Sequence, residues 1–189
     1  MKYSLSLNSL FKKNRQSGFS LVEMAVVASI IGILSTALIT SFSRTRIDME
    51  QSSSLVVATI RDAQTRAIAS RVYAGYNPCG YGIHYVSPTQ IAIYVGPNAG
   101  TTNCAGINKN YDEAEDTLLN YITLADTRVE IKSAFEDIFF LPPDPKTYLN
   151  NDASLNQAPL TIQVGVPGEA CSSDCRTISV YSSGKIEVQ

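Results

Sequence analysis

"RQSGFSLVEMAVVASIIGIL", residues 15–34, holds a contradiction whose resolution decides the fold. From Phe19 to Phe42 the chain is almost wholly apolar or small, yet Glu23 sits near the start of that run. A carboxylate buried in lipid costs about 2–3 kcal/mol even on lenient insertion scales. A Ser17-Gly18 pair stands just before the apolar residues. Residues 19–42 are 24 positions, about 36 Å as an α-helix at ~1.5 Å per residue. That suffices to cross a hydrocarbon core of ~30 Å. Upstream lie Lys2, Lys12, Lys13 and Arg15, with no acid before Glu23. Positive charge on that flank predicts a cytoplasmic N-terminus and an exported C-terminal part. A secretory signal has an apolar core of only ~7–15 residues with a cleavage site after it. Here the natural break, Gly18, lies before the run. A plain single-span anchor explains neither Gly18 nor Glu23.

The stretch "SGFSLVEMAVVASIIGIL" resembles the type III signal of type IV prepilins and type II secretion pseudopilins: Gly18, then Phe19, then an apolar run with Glu23 at the fifth mature position. The resemblance implies a leader, residues 1–18, cleaved after Gly18 by a membrane prepilin peptidase, and N-methylation of Phe19. It also implies a role for Glu23, whose carboxylate would pair with the cationic N-terminus of a neighbouring subunit. The implied partners are other pilin or pseudopilin subunits, met through the N-terminal helix, together with the membrane and an inner-membrane assembly platform.

Beyond the apolar run, Ser43 to Ala74 contains no Pro or Gly. Val56, Ile60, Ala63 and Ala67 recur at spacings of four, three and four, one face of a helix. Asp62 precedes Arg66 by four, the favourable order for an ion pair. The spacing therefore predicts one helix from the span, residues 19–42, through an amphipathic continuation, residues 43–75, roughly 80 Å in all. Gly75, Asn77 and Pro78 are the expected stop.

The remainder, residues 76–189, reads as a β-rich domain of short strands. "YGIHYV" (81–86) and "QIAIYV" (90–95) flank Ser87-Pro88-Thr89 as a hairpin. A polar loop over 96–117 follows. Further strands are expected at 118–124, 128–133, 137–145, 160–166, 176–183 and 185–189, with Gly184 turning the last hairpin. Strands without an intervening long helix predict an α+β fold, the long helix packed on an antiparallel sheet or sandwich. "RDAQTRAIASR", "YGIHY", "FFLPPDP" and "TISVYSSGKIEV" make this half similar to the GspH/FimT minor pilins and pseudopilins. That resemblance implies a pilin fold and a structural subunit near a fibre tip, acting in assembly initiation or partner recruitment.

Four of the 15 Lys and Arg lie in residues 1–18 and none of the 17 acids does. The chain beyond Gly18 thus carries 11 bases against 17 acids, a net charge of −6. A nucleic-acid grip usually needs a basic face. DNA-binding relatives in this branch resemble one another in a basic C-terminal hairpin with Gly-Arg-x-Arg at its turn. The matching positions here are Gly184, Lys185, Ile186 and Glu187, one base kept and one replaced by an acid. DNA binding is therefore not expected. A DNA-uptake pilin and a membrane-anchored β-domain that never polymerises remain the alternative readings.

Cys79, Cys104, Cys171 and Cys175 form an even set in an exported domain, which points to two disulfides. Three pairings exist. Sequence order favours Cys79–Cys104 and Cys171–Cys175, each closing a local loop. A four-cysteine zinc site would need two short Cys pairs, which the spacing lacks. His84, the lone histidine, alternates with strand residues and has no second base nearby in sequence. No nucleophile elbow or phosphate loop appears, so no enzymatic activity, metal or cofactor is expected. The acidic run with Asp112, Glu113, Glu115 and Asp116 lacks the glycine and spaced ligands of a calcium loop and reads as solvated. The many tyrosines suit half-buried strands, or an adhesive surface.

Overall fold

The computed structural model describes residues 20–143, 146–171 and 175–189. The expected leader, with Gly18 and Phe19, lies outside the described residues. The chain divides into two compact units, one ending at Ser41 and the other running from Phe42 to Gln189.

A single long helix, α1 (Leu21–Ile68), contributes to both units. In the second unit its stripe is fully buried: Val56, Ile60, Ala63 and Ala67 are each 0% exposed. The 3.6-residue period therefore faces the core as the sequence spacing demands. The helix stops at Ile68, not near Gly75. Ser70 takes a left-handed backbone, φ 44°. The Arg71 amide donates to the Arg66 carbonyl at 3.1 Å, and the Ser70 amide to Ala67 at 2.9 Å. These are the two bonds of a Schellman cap, made here with Ser in the place usually held by Gly.

Among the described residues nine strands follow: β1 (Tyr81–Ser87), β2 (Gln90–Val95), β3 (Thr117–Thr123), β4 (Glu130–Ile131), β5 (Ile138–Leu141), β6 (Lys146–Leu149), β7 (Leu160–Gly165), β8 (Arg176–Val180) and β9 (Ile186–Val188). They build two antiparallel sheets, ordered β3-β2-β1-β5-β6 and β4-β7-β8-β9. The architecture is α+β and pilin-like, a long helix packed on antiparallel sheets. One core joins the α1 stripe to both: Ile83, Ile91, Ile93, Ile138 and Phe140 from the first sheet, Ile162, Val164, Ile178 and Val180 from the second.

Three expectations change. Segments 118–124 and 128–133 part company: β3 pairs with β2, whereas the two-residue β4 pairs with β7 in the other sheet. Leu124 and Val129, both buried, mark where the chain crosses over. The strand expected over 137–145 ends at Leu141, followed by a cis Pro142-Pro143 bond. A strand absent from the sequence reading, β6, then returns beside β5, pairing Ile138 with Leu149 and Leu141 with Lys146.

In the first sheet β2 is buried on both faces, which is why it does not alternate. Ile91, Ile93 and Val95 face the main core. Tyr94 faces the other way, into a second cluster with Cys79, Ile107 and Phe139. The 96–117 loop covers that side. Two glycines make room for its aromatic floor. A Cβ on Gly82 would lie 2.3 Å from Tyr94 Cζ, and one on Gly80 2.3 Å from the Phe140 carbonyl oxygen. Cys79 and Cys104 are bonded, S–S 2.03 Å, and so are Cys171 and Cys175. In the loop-entropy model the first bridge removes about 3 kcal/mol of unfolded-chain freedom. It ties the covering loop to the start of β1.

Candidate assembly site

The described part of the first unit opens on a helix cap. Ser20 Oγ accepts the Val22 amide at 3.2 Å, and the Ser20 carbonyl accepts the Met24 amide at 3.1 Å. Ser20 followed three residues later by Glu23 has the spacing of a capping box, in which Glu satisfies a free amide at the helix start. Glu23 makes no such bond: its carboxylate has no hydrogen-bond or ion-pair partner among the described residues and is exposed. It is the single ionisable side chain between Leu21 and Ser43.

Around it the helix is apolar and uncovered. Leu21, Val22, Met24, Ile30, Ile31, Ile33, Leu34 and Leu38 are all exposed. This part of α1 is long and apolar enough to cross a membrane, and none of the relevant window is buried. Two hydroxyls within it are held by the helix backbone. Ser29 Oγ donates to the Ala25 carbonyl at 2.7 Å, and Thr36 Oγ1 to the Ile33 carbonyl at 2.8 Å. These two hydroxyls are thus paired inside the segment, as a lipid environment favours. Glu23 is thus one charge near one end of an apolar rod.

Residues 13–39 match the prokaryotic N-terminal methylation motif. This is the type IV pilin signal, and it spans Lys13, Arg15, Gly18, Phe19, Glu23 and most of the apolar run. No curated protein and no solved structure matches the chain. The methylation motif thus accounts for the helix start, and the β domain is read from its own geometry.

That domain holds a polar cluster under the 96–117 loop which sequence reading missed. Asp137 receives His84 Nδ1 at 2.8 Å and the Tyr111 amide at 2.7 Å, on separate carboxylate oxygens. Its partner histidine lies 53 residues away in sequence, so no local spacing announces the pair. The Tyr111 ring lies over His84, centroids 4.6 Å apart. No hydroxyl or thiol bonds His84 among the described residues; the pair pins the loop to β1. Lys109, 4% exposed, donates from Nζ to the carbonyls of Ile107 (2.6 Å) and Ala105 (2.9 Å). Burial, then the charge of Lys146, lowers its pKa. Tyr94 Oη donates to the Lys109 carbonyl at 2.5 Å. Burial drives this phenol's pKa well above its ordinary value, with Asp137 and Asp116 adding to the shift.

The acidic run is not uniformly solvated. Asp112, Glu113 and Glu115 are exposed, but Asp116 is half-buried and accepts the Asp112 amide at 2.9 Å. Desolvation raises its pKa to about 6; the Asp112 amide bond opposes the shift, while Glu115, Asp112 and Asp137 add to it. No group of three His, Cys, Asp or Glu able to hold a metal ion occurs among the described residues. A cleft of about 330 Å³ beside the Cys79–Cys104 bridge is walled by Pro78, Leu141, Pro142 and Pro143, with no charged side chain in its lining.

The sign of the Asp116 shift gives a test. An acid whose folded pKa is raised destabilises the folded chain above that pKa and ceases to do so as pH falls toward its unfolded value. Acidification from pH 7.5 to pH 5 therefore relieves a cost in the wild type. Asp116→Asn keeps the acceptor oxygen and has no such cost. It should melt higher than wild type at pH 7.5, and the gap should begin to narrow as pH falls through about 6 and close only at about pH 4. A gap independent of pH would refute a titrating Asp116.

Proposed function

We propose that the chain is a minor pilin or type II secretion pseudopilin of the GspH/FimT group, a structural subunit. The carrying observation is the methylation motif running into an uncovered apolar helix with one unpaired carboxylate. The chain is made with its N-terminus cytoplasmic and its β domain exported. Prepilin peptidase cuts after Gly18, and the amine of Phe19 is methylated. On the assembly platform the helix leaves the membrane by packing among the helices of other subunits, Glu23 meeting a neighbour's N-terminal amine. The subunit's place is near the fibre tip, in assembly initiation or partner recruitment, as the resemblance to the GspH/FimT group implies. Mass spectrometry of the native chain should show a mature N-terminus at Phe19. An intact leader, or a cut beyond the apolar run, would sink the pilin reading.

The C-terminal hairpin argues against the DNA-uptake alternative. Lys185 Nζ lies 2.5 Å from Glu187 Oε1, and Tyr181 Oη donates to Glu187 Oε2 at 2.7 Å. The base that matches the DNA-binding hairpin is thus already partnered by the acid two residues on. Beyond Lys146 the chain has two bases against four acids, and duplex affinity comes mainly from bases neutralising phosphates. Residues 44–189 should show no appreciable duplex binding at physiological salt in a gel-shift titration. Micromolar binding that weakens steeply with salt and vanishes in Lys185→Ala would reverse the choice.

A further inference from the structure

Four bases gather on and beside the turns of α1 that follow the apolar run. Arg44 and Arg46 are exposed, and neither makes an ion pair among the described residues. They are two positions apart on the helix, roughly 200° around it and ~3 Å along it, so their guanidinium groups straddle it at one level. One turn further, Asp48 Oδ2 lies 2.9 Å from Arg128 Nη2, an ion pair by distance though not by hydrogen-bond geometry. Glu50 Oε2 lies 2.9 Å from Arg176 Nη2. Arg128 also holds Asp126 at 2.8 Å. Arg128 and Arg176 thus offset two of the three charges on Asp48, Glu50 and Asp126, and with Arg44 and Arg46 the group keeps a net positive charge. The two free guanidinium groups are positive in a chain that is otherwise strongly acidic beyond Gly18.

We propose that Arg44 and Arg46 form a binding collar for anionic phospholipid headgroups on the exported face of the membrane. The inference rests on the membrane-anchored reading above. Arg44 lies two residues past Phe42, within about 3 Å of helix rise, so the end of the span sets the guanidinium groups at headgroup level. Guanidinium matches phosphate in a bidentate fork. Beyond Phe42 the chain carries more acids than bases, so the net charge of the rest of the domain opposes an anionic surface. The collar would hold the subunit at a fixed depth until it is extracted into a fibre.

The chain contains no tryptophan, so Ile47→Trp, at an exposed position next to Arg46, supplies one fluorophore. The full chain with this probe is placed in vesicles carrying either headgroup-quencher phosphatidylglycerol or headgroup-quencher phosphatidylcholine. The expected result is a roughly two- to fivefold enrichment of phosphatidylglycerol at the probe, set by ~1 kcal/mol per base near an anionic surface. The enrichment should fall to about one in Arg44→Gln/Arg46→Gln and persist in Arg44→Lys/Arg46→Lys. Equal quenching by both lipids overturns the proposal. So does enrichment that survives the Gln pair while that variant drops out of sheared fibres, which would assign the collar to chain–chain contact. Release of the chain by an alkaline wash would instead show that the anchor reading itself has failed.

Discussion

Gly82→Ala should lower the melting temperature of the chain by on the order of 10 °C. The new Cβ would lie 2.3 Å from Tyr94 Cζ, 2.4 Å from Cε1 and 2.6 Å from Oη. Tyr94 cannot swing aside: it is 0% exposed, its ring lies against Phe139 and Tyr111, and its hydroxyl is bonded to the Lys109 carbonyl. Overpacking of this kind costs about 1–3 kcal/mol. Losing the hydroxyl bond strands a buried carbonyl and adds about 1–3 kcal/mol. A total near 3 kcal/mol corresponds to roughly 6–12 °C for a domain of this size. Gly106→Ala, whose Cβ would meet nothing closer than 3.7 Å, is the control. Thermal unfolding followed by circular dichroism decides it. A Gly82→Ala melt within about 2 °C of wild type, against a ~2–4 °C shift per kcal/mol, would show that the floor under the loop yields.

Glu23→Ala should remove the chain from sheared fibres while leaving its processing and membrane residence intact. Neutralising a carboxylate relieves a lipid penalty of ~2–3 kcal/mol, so the anchored state does not suffer. In the fibre the same change leaves a neighbour's amine buried without its counter-charge, a loss of about 3–5 kcal/mol. That corresponds to a fall in incorporation of roughly 100-fold or more. Glu23→Gln separates the two roles open to this residue. A capping box accepts Gln as readily as Glu, whereas a charge pair does not. Quantitative blotting of sheared fibres should show Gln as deficient as Ala. Wild-type incorporation of Glu23→Gln would return Glu23 to the part of a helix cap.

How much of this was legible in the sequence follows from the range of each interaction. The buried stripe of α1 repeats every few residues, so Val56, Ile60, Ala63 and Ala67 announce themselves. The β1–β2 and β8–β9 hairpins have their turn residues between them and are read as easily. The helix end was not legible, because Ser70 takes the left-handed place that composition would assign to Gly75. β6 was hidden behind Pro142 and Pro143, whose evident meaning is an ending, not a return. The segments now called β3 and β4 adjoin in sequence and belong to different sheets, a choice made by Leu124 and Val129 entering the core. Glu23 stood out because a charge in an apolar run needs no structure to be noticed. The pinning of the covering loop by Asp137, His84 and Lys109 joins residues far apart, and nothing local marks it.

The covering loop is fastened by main-chain groups wherever it leaves and rejoins the sheet. The Pro97 carbonyl takes the Cys79 amide, and the Asn77 carbonyl takes the Ala99 amide. At the other end the Lys109 amide and carbonyl and the Tyr111 amide are bound by Asn151, Tyr94 and Asp137. Between these moorings, Gly100, Thr101, Asn103, Ala105 and Gly106 are exposed, and only Cys104 reaches in to the bridge. Main-chain moorings are indifferent to the identity of the residues that carry them. The outward positions between Ala99 and Lys109 can thus change their chemistry with little change in stability, provided Cys104 and Ile107 are kept. The loop is a ready place for a surface that must diversify, and for a short foreign peptide inserted to display on a fibre.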